Sequence, residues 1–354
     1  MTALIKYIFR EFPKKGGQTI MKIKMVFSII AVIAVALSLT PGVAFAATTG
    51  TSSGSFQCGN VAPTVNSITC NWSTTMTPQA YYQITLDVTD ANTLNDLDTI
   101  TVYIYYDANG EYNTGDRPGS GNVSTCAILE WENPSTWTID PSASTTWGKV
   151  ESNCSVPTLS ASNGNFIFAF QPGKVARETP GADEWHIYVV ADDGTATGDN
   201  YKENQEMAWY GEITVNTGSV NWESVNPNQD FQEGDPSEEG SISVKYVANG
   251  AYDEKVAASS SWTGAPSGTA ALDAEGTPSA NEFSLKADDT GTLPSGSDGL
   301  VTASPAYITI DNAGDFTAEA GDTQTNNALW LKLGTPFTSA TYSGTIYYQI
   351  ADGS

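Results

Sequence analysis

Carboxylates and side-chain amides crowd the stretch between two runs of alternating apolar residues, where Asp87-Val-Thr-Asp90-Ala-Asn92 leads into Asn95-Asp96-Leu-Asp98. Oxygen-only donors of this kind suit calcium, a hard cation that takes about six to eight oxygen ligands. Because alternate residues of extended chain share a face, Asp96 and Asp98 are expected to point together, as are Asp90 and Asn92. Asp192-Asp193-Gly194 follows another apolar run and can approach the same end of the fold. The candidate metal set is therefore Asp90, Asn92, Asp96, Asp98, Asp192 and Asp193, with Ca2+ as the one cofactor the chain suggests. Asp and Asn are also turn formers whose polar side chains sit in solvent, and the sequence leaves both readings open.

Other chemistry is less well founded. Asp107-Ala-Asn109-Gly-Glu111-Tyr-Asn113-Thr-Gly-Asp116 imitates the odd-position spacing of a calcium loop, yet Pro118 stands where such a loop needs a bidentate Glu. A hairpin turn on Asn109-Gly110 is the simpler expectation. Trp131, Trp137 and Trp147, with Glu130, Glu132 and Asp140 nearby, offer either a stacking platform for sugar or an inward-folded satellite core. His186 is the only histidine and lies within an alternating run, a weak basis for a catalytic triad. No Gly-rich phosphate loop precedes a helix, so the chain is not expected to be an enzyme.

The elements that must position these residues are strands. Tyr82-Gln-Ile-Thr-Leu-Asp-Val88, Ile100-Thr-Val-Tyr-Ile-Tyr-Tyr106, Phe166-Ile-Phe-Ala-Phe170, Trp185-His-Ile-Tyr-Val-Val190 and Trp209-Tyr-Gly-Glu-Ile-Thr-Val215 alternate or run apolar between Gly, Pro, Asn and Asp. A composition shift near Asn216-Thr-Gly-Ser219 separates a cysteine-free second half. Its expected strands are Val220-Asn-Trp-Glu-Ser-Val225, Ser241-Ile-Ser-Val-Lys-Tyr-Val247, Glu282-Phe-Ser-Leu-Lys286, Tyr307-Ile-Thr-Ile310, Ala328-Leu-Trp-Leu-Lys-Leu333 and Thr341-Tyr-Ser-Gly-Thr-Ile-Tyr-Tyr-Gln-Ile350. The expected fold is all-β, two tandem immunoglobulin-like antiparallel sandwiches over 56–216 and 217–354, preceded by a flexible Thr/Gly/Ser leader at 47–55.

Ahead of these lies an export signal. Lys22 and Lys24, the apolar run from Met25 to Leu39, Pro41-Gly42 and Ala44-Phe45-Ala46 follow the basic, apolar and cleavable order of a secretory peptide, so residues 21–46 are expected to be removed. Codons for Lys15-Gly16-Gly17 admit a purine-rich ribosome-binding sequence just upstream of the Met21 codon, which makes 1–20 an untranslated upstream region. A pilin-type leader cut near Gly17 is the rival reading, interrupted by the two lysines. Loss of 1–46 leaves nine basic residues against thirty-nine acids, a net charge of −30. Such a chain repels nucleic acid and anionic membranes. No membrane span is expected in the mature chain. The even cysteine count in an exported chain favours disulfides, with three connectivities open to four cysteines. Cys58–Cys70 and Cys126–Cys154 are the favoured pairs because each closes a local loop.

The strand motifs Tyr82-Gln-Ile-Thr-Leu-Asp-Val-Thr-Asp90, Trp185-His-Ile-Tyr-Val-Val-Ala-Asp-Asp-Gly194 and Thr341-Tyr-Ser-Gly-Thr-Ile-Tyr-Tyr348 resemble the immunoglobulin-like modules of prokaryotic surface-layer, adhesin and extracellular filament proteins. Leu329-Trp330-Leu331-Lys-Leu333 is similar to the Trp-x-Leu motif of cell-wall-binding domains, although Ile346-Tyr-Tyr-Gln-Ile350 does not repeat it. The broader resemblance implies a secreted structural protein of the cell surface, a subunit of an array or filament that associates with itself or with other surface proteins. The alternative is an adhesin module that binds glycan through Trp131, Trp137 and Trp147.

Overall fold

The computed structural model describes residues 52–108, 115, 117–141, 147–181, 183–216, 218–234, 241–313 and 323–353. The upstream region, the signal peptide, residues 47–51 of the leader and most of the acidic stretch after Asp107 lie outside the described residues. Residues 52–58 are exposed and form no strand; the compact unit is Gly59–Ser354.

Ten strands build a first sandwich: β1 (Thr64–Cys70), β2 (Thr75–Met76), β3 (Tyr82–Thr89), β4 (Thr99–Asp107), β5 (Cys126–Glu132), β6 (Thr136–Asp140), β7 (Gly148–Lys149), β8 (Asn163–Gln171), β9 (Glu184–Asp192) and β10 (Thr197–Met207). They form a four-stranded sheet in the order β1-β3-β8-β7 and a six-stranded sheet in the order β2-β10-β9-β4-β5-β6. The period of two explains why the sheets stack. Ile84, Leu86 and Val88 of β3, Ile100, Val102 and Ile104 of β4, and Phe166, Phe168 and Phe170 of β8 are all fully buried in one shared core. Each such side chain contributes roughly 1.5–3 kcal/mol on leaving water.

The second sandwich contains β11 (Gly211–Val215), β12 (Gln232–Glu233), β13 (Ser241–Ala248), β14 (Tyr252–Ala258), β15 (Ser261–Ala265), β16 (Thr269–Leu272), β17 (Glu282–Asp288), β18 (Ile308–Ala313), β19 (Thr323–Leu333), β20 (Thr341–Ser343) and β21 (Ile346–Asp352). Its large sheet runs β11-β13-β19-β17-β16-β15-β20, with β12 beside β19, and its small sheet runs β18-β14-β21. Val244, Val256, Leu285, Val301 and Leu329 are fully buried in the core between them. Among the described residues no helix is long and apolar enough to cross a membrane.

Three strand expectations need correction. Residues 220–225 form no strand; Glu223 takes a left-handed φ of 49°, which breaks the extended run, and Val220, Trp222 and Val225 instead strap across the second core. The terminal run splits at Gly344 into β20 and β21, which join different sheets. A Cβ on Gly344 would stand 2.0 Å from Cδ1 of Trp262, so the backbone passes against the indole there and cannot carry a side chain. Finally, β11 pairs with β13, so the last strand expected of the first half belongs to the second.

Asn249 links the two sandwiches, as does the ion pair of Lys174 with Glu212 at 2.6 Å. Asn249, fully buried, donates from Nδ2 to the carbonyls of Ala176 at 2.7 Å and Ala208 at 2.9 Å, and its Oδ1 accepts the Tyr210 N–H at 2.6 Å. Its own carbonyl accepts the Glu178 N–H at 3.0 Å. Asn249→Ala leaves two carbonyls and an amide without this partner, the Ala176 carbonyl in a buried contact and the other two part-buried. A loss on the order of 3 kcal/mol is expected in urea denaturation, with the transition becoming less cooperative as the sandwiches uncouple.

The second sandwich also buries an acid. Glu254 on β14 is 1% exposed and accepts Asn327 Nδ2 at 2.6 Å and Thr325 Oγ1 at 3.0 Å, both from β19 of the opposite sheet. Burial pushes its carboxyl above the usual 4.5; the two hydrogen bonds oppose this, and Asp311 and Asp289 add to it. A carboxyl raised by folding binds its proton more tightly in the folded state. Its contribution is therefore complete below pH 4.5 and lost as pH rises through the folded value. Thermal melts should show stability falling over that window, and Glu254→Gln should flatten the slope.

Candidate metal centre

The chain passes from the four-stranded to the six-stranded sheet between β3 and β4, and the acids lie on this crossing. Leu94 and Leu97, both fully buried, plug it into the core. Asp90 N–H donates to Ser162 O and Leu94 N–H to Ala161 O, each at 2.8 Å. Residues Leu94–Asp96 form one 3-10 turn, and Asp98 N–H then donates to Asp192 O at 2.8 Å. The register Thr99↔Asp192 between β4 and β9 therefore sets the β9–β10 turn directly beside the crossing.

Asp90, Asp96 and Asp193 each bring a carboxylate oxygen within 4.8 Å of the others. Asp96 is exposed, whereas Asp90 and Asp193 are only 1% and 9% exposed. Asp90 Oδ1 accepts the Asn92 N–H at 2.7 Å. Its Oδ2 is shut off from water and has no hydrogen-bond partner among the described residues. Asp193 Oδ2 accepts Asn60 Nδ2 at 2.9 Å, and Oδ1 accepts the N–H groups of Thr195 at 2.8 Å and Ala196 at 2.7 Å.

These surroundings drive the two buried acids apart. Burial pushes Asp90 above the usual carboxylate range, the charges of Asp96 and Asp193 add to this, and the Asn92 N–H opposes it. Burial acts on Asp193 in the same sense, but hydrogen bonds from Asn60, Ala196 and Thr195 outweigh it and hold that carboxyl low. Two like charges about 5 Å apart repel by roughly 3 kcal/mol at an effective dielectric of about 20, and by less where Asp96 meets solvent. A divalent cation among them would add an attraction to each carboxylate that offsets their mutual repulsion. Three carboxylate oxygens around one point suit calcium, with backbone carbonyls or water completing its shell.

Half of the expected ligand set comes together. Asn92, Asp98 and Asp192 are not part of the acidic triad; the 3-10 turn over residues 94–96 breaks the alternation that was expected to keep Asp96 and Asp98 on one face. Asp98 Oδ2 instead lies against Gly194, where a Cβ would stand 2.4 Å from it, and Asp192 Oδ1 accepts the Gly194 N–H at 2.7 Å. Asn92 accepts the Val61 N–H at 2.8 Å and donates to Gly59 O at 3.1 Å. These contacts, and Asn60, were beyond sequence reasoning, since residues 59–61 carry no periodic or acidic signal.

The tryptophan platform is not formed. Trp131, Trp137 and Trp147 are 0%, 8% and 4% exposed. Their rings pack on Phe166, Phe168 and Phe170 at centroid distances of 4.8, 4.8 and 6.4 Å. A sugar has no ring face to stack on there, so the glycan-binding alternative loses its site.

The expected disulfides are also absent: Cys70, Cys126 and Cys154 form none. Cys126 packs with Tyr105 and Tyr188 on the outer face of the six-stranded sheet, whereas Cys154 packs against the inner core and accepts the Ala169 N–H at 3.3 Å. A sheet stands between the two thiols. Burial pushes Cys70 and Cys126 up to about 12, so both remain protonated.

His186 is fully buried in β9, with Nε2 3.7 Å from Asp107 Oδ2 and its ring 5.4 Å from that of Tyr105. A cavity of about 980 Å³ in the second sandwich is walled by Trp222, Trp262, Phe283, Leu331 and Tyr348, and Glu223 is the one charged residue among those lining it. No protein-family model and no curated protein matches the chain.

Asp90→Asn removes one like charge and the need to bury a carboxylate. In EDTA the variant should melt a few degrees above the native chain, and its melting temperature should no longer rise on adding CaCl2. Differential scanning fluorimetry of both proteins with and without calcium checks both outcomes.

Proposed function

We propose that this chain is a secreted structural protein of the cell surface, a subunit of a surface array or filament. It is built as two tandem immunoglobulin-like sandwiches, with calcium bound by Asp90, Asp96 and Asp193 at one end of the first. The observation that carries the calcium part is Asp90 Oδ2, a buried carboxylate oxygen with no donor among the described residues, on a carboxyl group within 4.8 Å of two further acids. An orphaned buried carboxylate is costly, and a cation removes the cost. Outside the cell calcium is abundant, and extracellular modules bind it with dissociation constants of about 0.1–1 mM.

The structural role is supported by composition and edges. Thirty-nine acids against nine basic residues after residue 46 suit a solvated surface in a cation-rich medium. Strands β1 and β21 end their sheets, and edge strands can pair with a neighbouring copy or accept an extended arm such as residues 47–56. On this reading calcium stiffens each subunit so that contacts between subunits add up along an array.

Negative-stain electron microscopy and sedimentation of the secreted protein, with calcium and with EGTA, test the proposal. Ordered assemblies or higher oligomers that depend on calcium are expected. A strictly monomeric protein in both buffers would overturn the array reading, and an unchanged melting temperature on calcium addition would overturn the calcium reading.

A further inference from the structure

Residues 59–61 bridge the two loops that carry the acidic triad. Asn60 donates to Asp193 Oδ2 on the β9–β10 turn at 2.9 Å. Its neighbours grip Asn92 on the β3–β4 crossing, through Val61 N–H at 2.8 Å and Gly59 O at 3.1 Å. One short piece of chain thus holds both ligand loops at once, and its three hydrogen bonds can form together only at one separation of those loops.

That separation is what the charges contest. Asp90 and Asp96 stand on the crossing and Asp193 on the turn, so repulsion between them pushes the two loops apart, whereas a cation shared by the three draws them together. Asp90 Oδ2, buried and without a hydrogen-bond partner among the described residues, is the independent sign that a ligand belongs between them. Beyond the bridge the chain is fixed again: Pro63 is buried and its carbonyl lies over Gly198, where a Cβ would stand 1.9 Å from the oxygen. Only residues 59–61 and what precedes them depend on the loops.

We infer that calcium at the triad controls whether residues 59–61 are docked, so that the cation sets the point at which the preceding chain leaves the sandwich. Asn60 and Asn92 are positioning residues in this device: Asn60 orients Asp193, and Asn92 both orients Asp90 through its N–H and holds the bridge. With calcium the bridge is closed and the preceding chain departs at Gly59. Without it the bridge opens and the departure point moves back to Pro63. The inference rests on the calcium reading of the triad, so its test measures binding and docking separately.

Isothermal titration of the full chain with CaCl2 reads binding, and hydrogen exchange of peptides covering residues 59–63, in CaCl2 and in EGTA, reads docking. Binding is expected, with the Val61 amide exchanging about tenfold more slowly in calcium. Asn60→Ala should still bind calcium while much of that protection is lost. Equal exchange in the two buffers, in a chain that binds calcium, would overturn the docking inference and leave the metal site standing. Absence of binding would overturn the metal site itself, whatever the exchange shows.

Discussion

The antiparallel pairing of β4 with β9 is the interaction on which the acidic end of the molecule depends. Nine residue pairs in unbroken register, from Thr99↔Asp192 to Asp107↔Glu184, place these strands at the centre of the six-stranded sheet. Sliding one strand by a single residue would turn Ile100, Val102 and Ile104 out of the core, so the register is locked by burial. Because β4 begins where the crossing from β3 ends and β9 finishes at Asp192, that lock brings Asp90, Asp96 and Asp193 together. Hydrophobic burial thereby bears the repulsion of three acids.

Both sandwiches bury a carboxylate, and they satisfy it differently. Glu254 spans from β14 to the opposite sheet, where Thr325 and Asn327 each donate to one of its oxygens. Asp90 sits at a sheet end, keeps one oxygen paired with Asn92 and leaves the other without a hydrogen-bond partner among the described residues. The first arrangement closes a polar contact within the core. The second leaves an oxygen of Asp90 without a hydrogen-bond partner among the described residues, beside Asp96 and Asp193, and the loops around it also hold residues 59–61. Asn249, buried between the sandwiches with its side-chain donors and acceptor paired, follows the same rule that a buried polar group must find partners.

Most strands were legible because a half-buried strand must alternate: Ile84, Leu86 and Val88, or Ile242, Val244 and Tyr246, announce an inward face whatever lies opposite. The errors fell where local pattern met a tertiary demand. Val220 and Trp222 alternate like a strand, yet they strap the core instead because Glu223 turns left-handed. Thr341 to Ile350 reads as one strand, and it breaks where Gly344 must slide past Trp262. Trp131, Trp137 and Trp147 look like a platform in sequence, since nothing in their spacing reveals the three phenylalanines of β8 that cover them.

The acidic site was legible to the same depth. Sequence alone determined that oxygen donors crowd the ends of β3 and β9, because turns between strands draw Asp and Asn, and that the chain is all-β and strongly acidic. Which acids meet was decided only in three dimensions. The 3-10 turn at Leu94–Asp96, pinned by Leu94 and Leu97, brings the exposed Asp96 beside Asp90 and Asp193, while Asp98 lies against Gly194. Local spacing fixes which side of a strand a residue takes, whereas convergence across sheets depends on register and on the loops that packing allows.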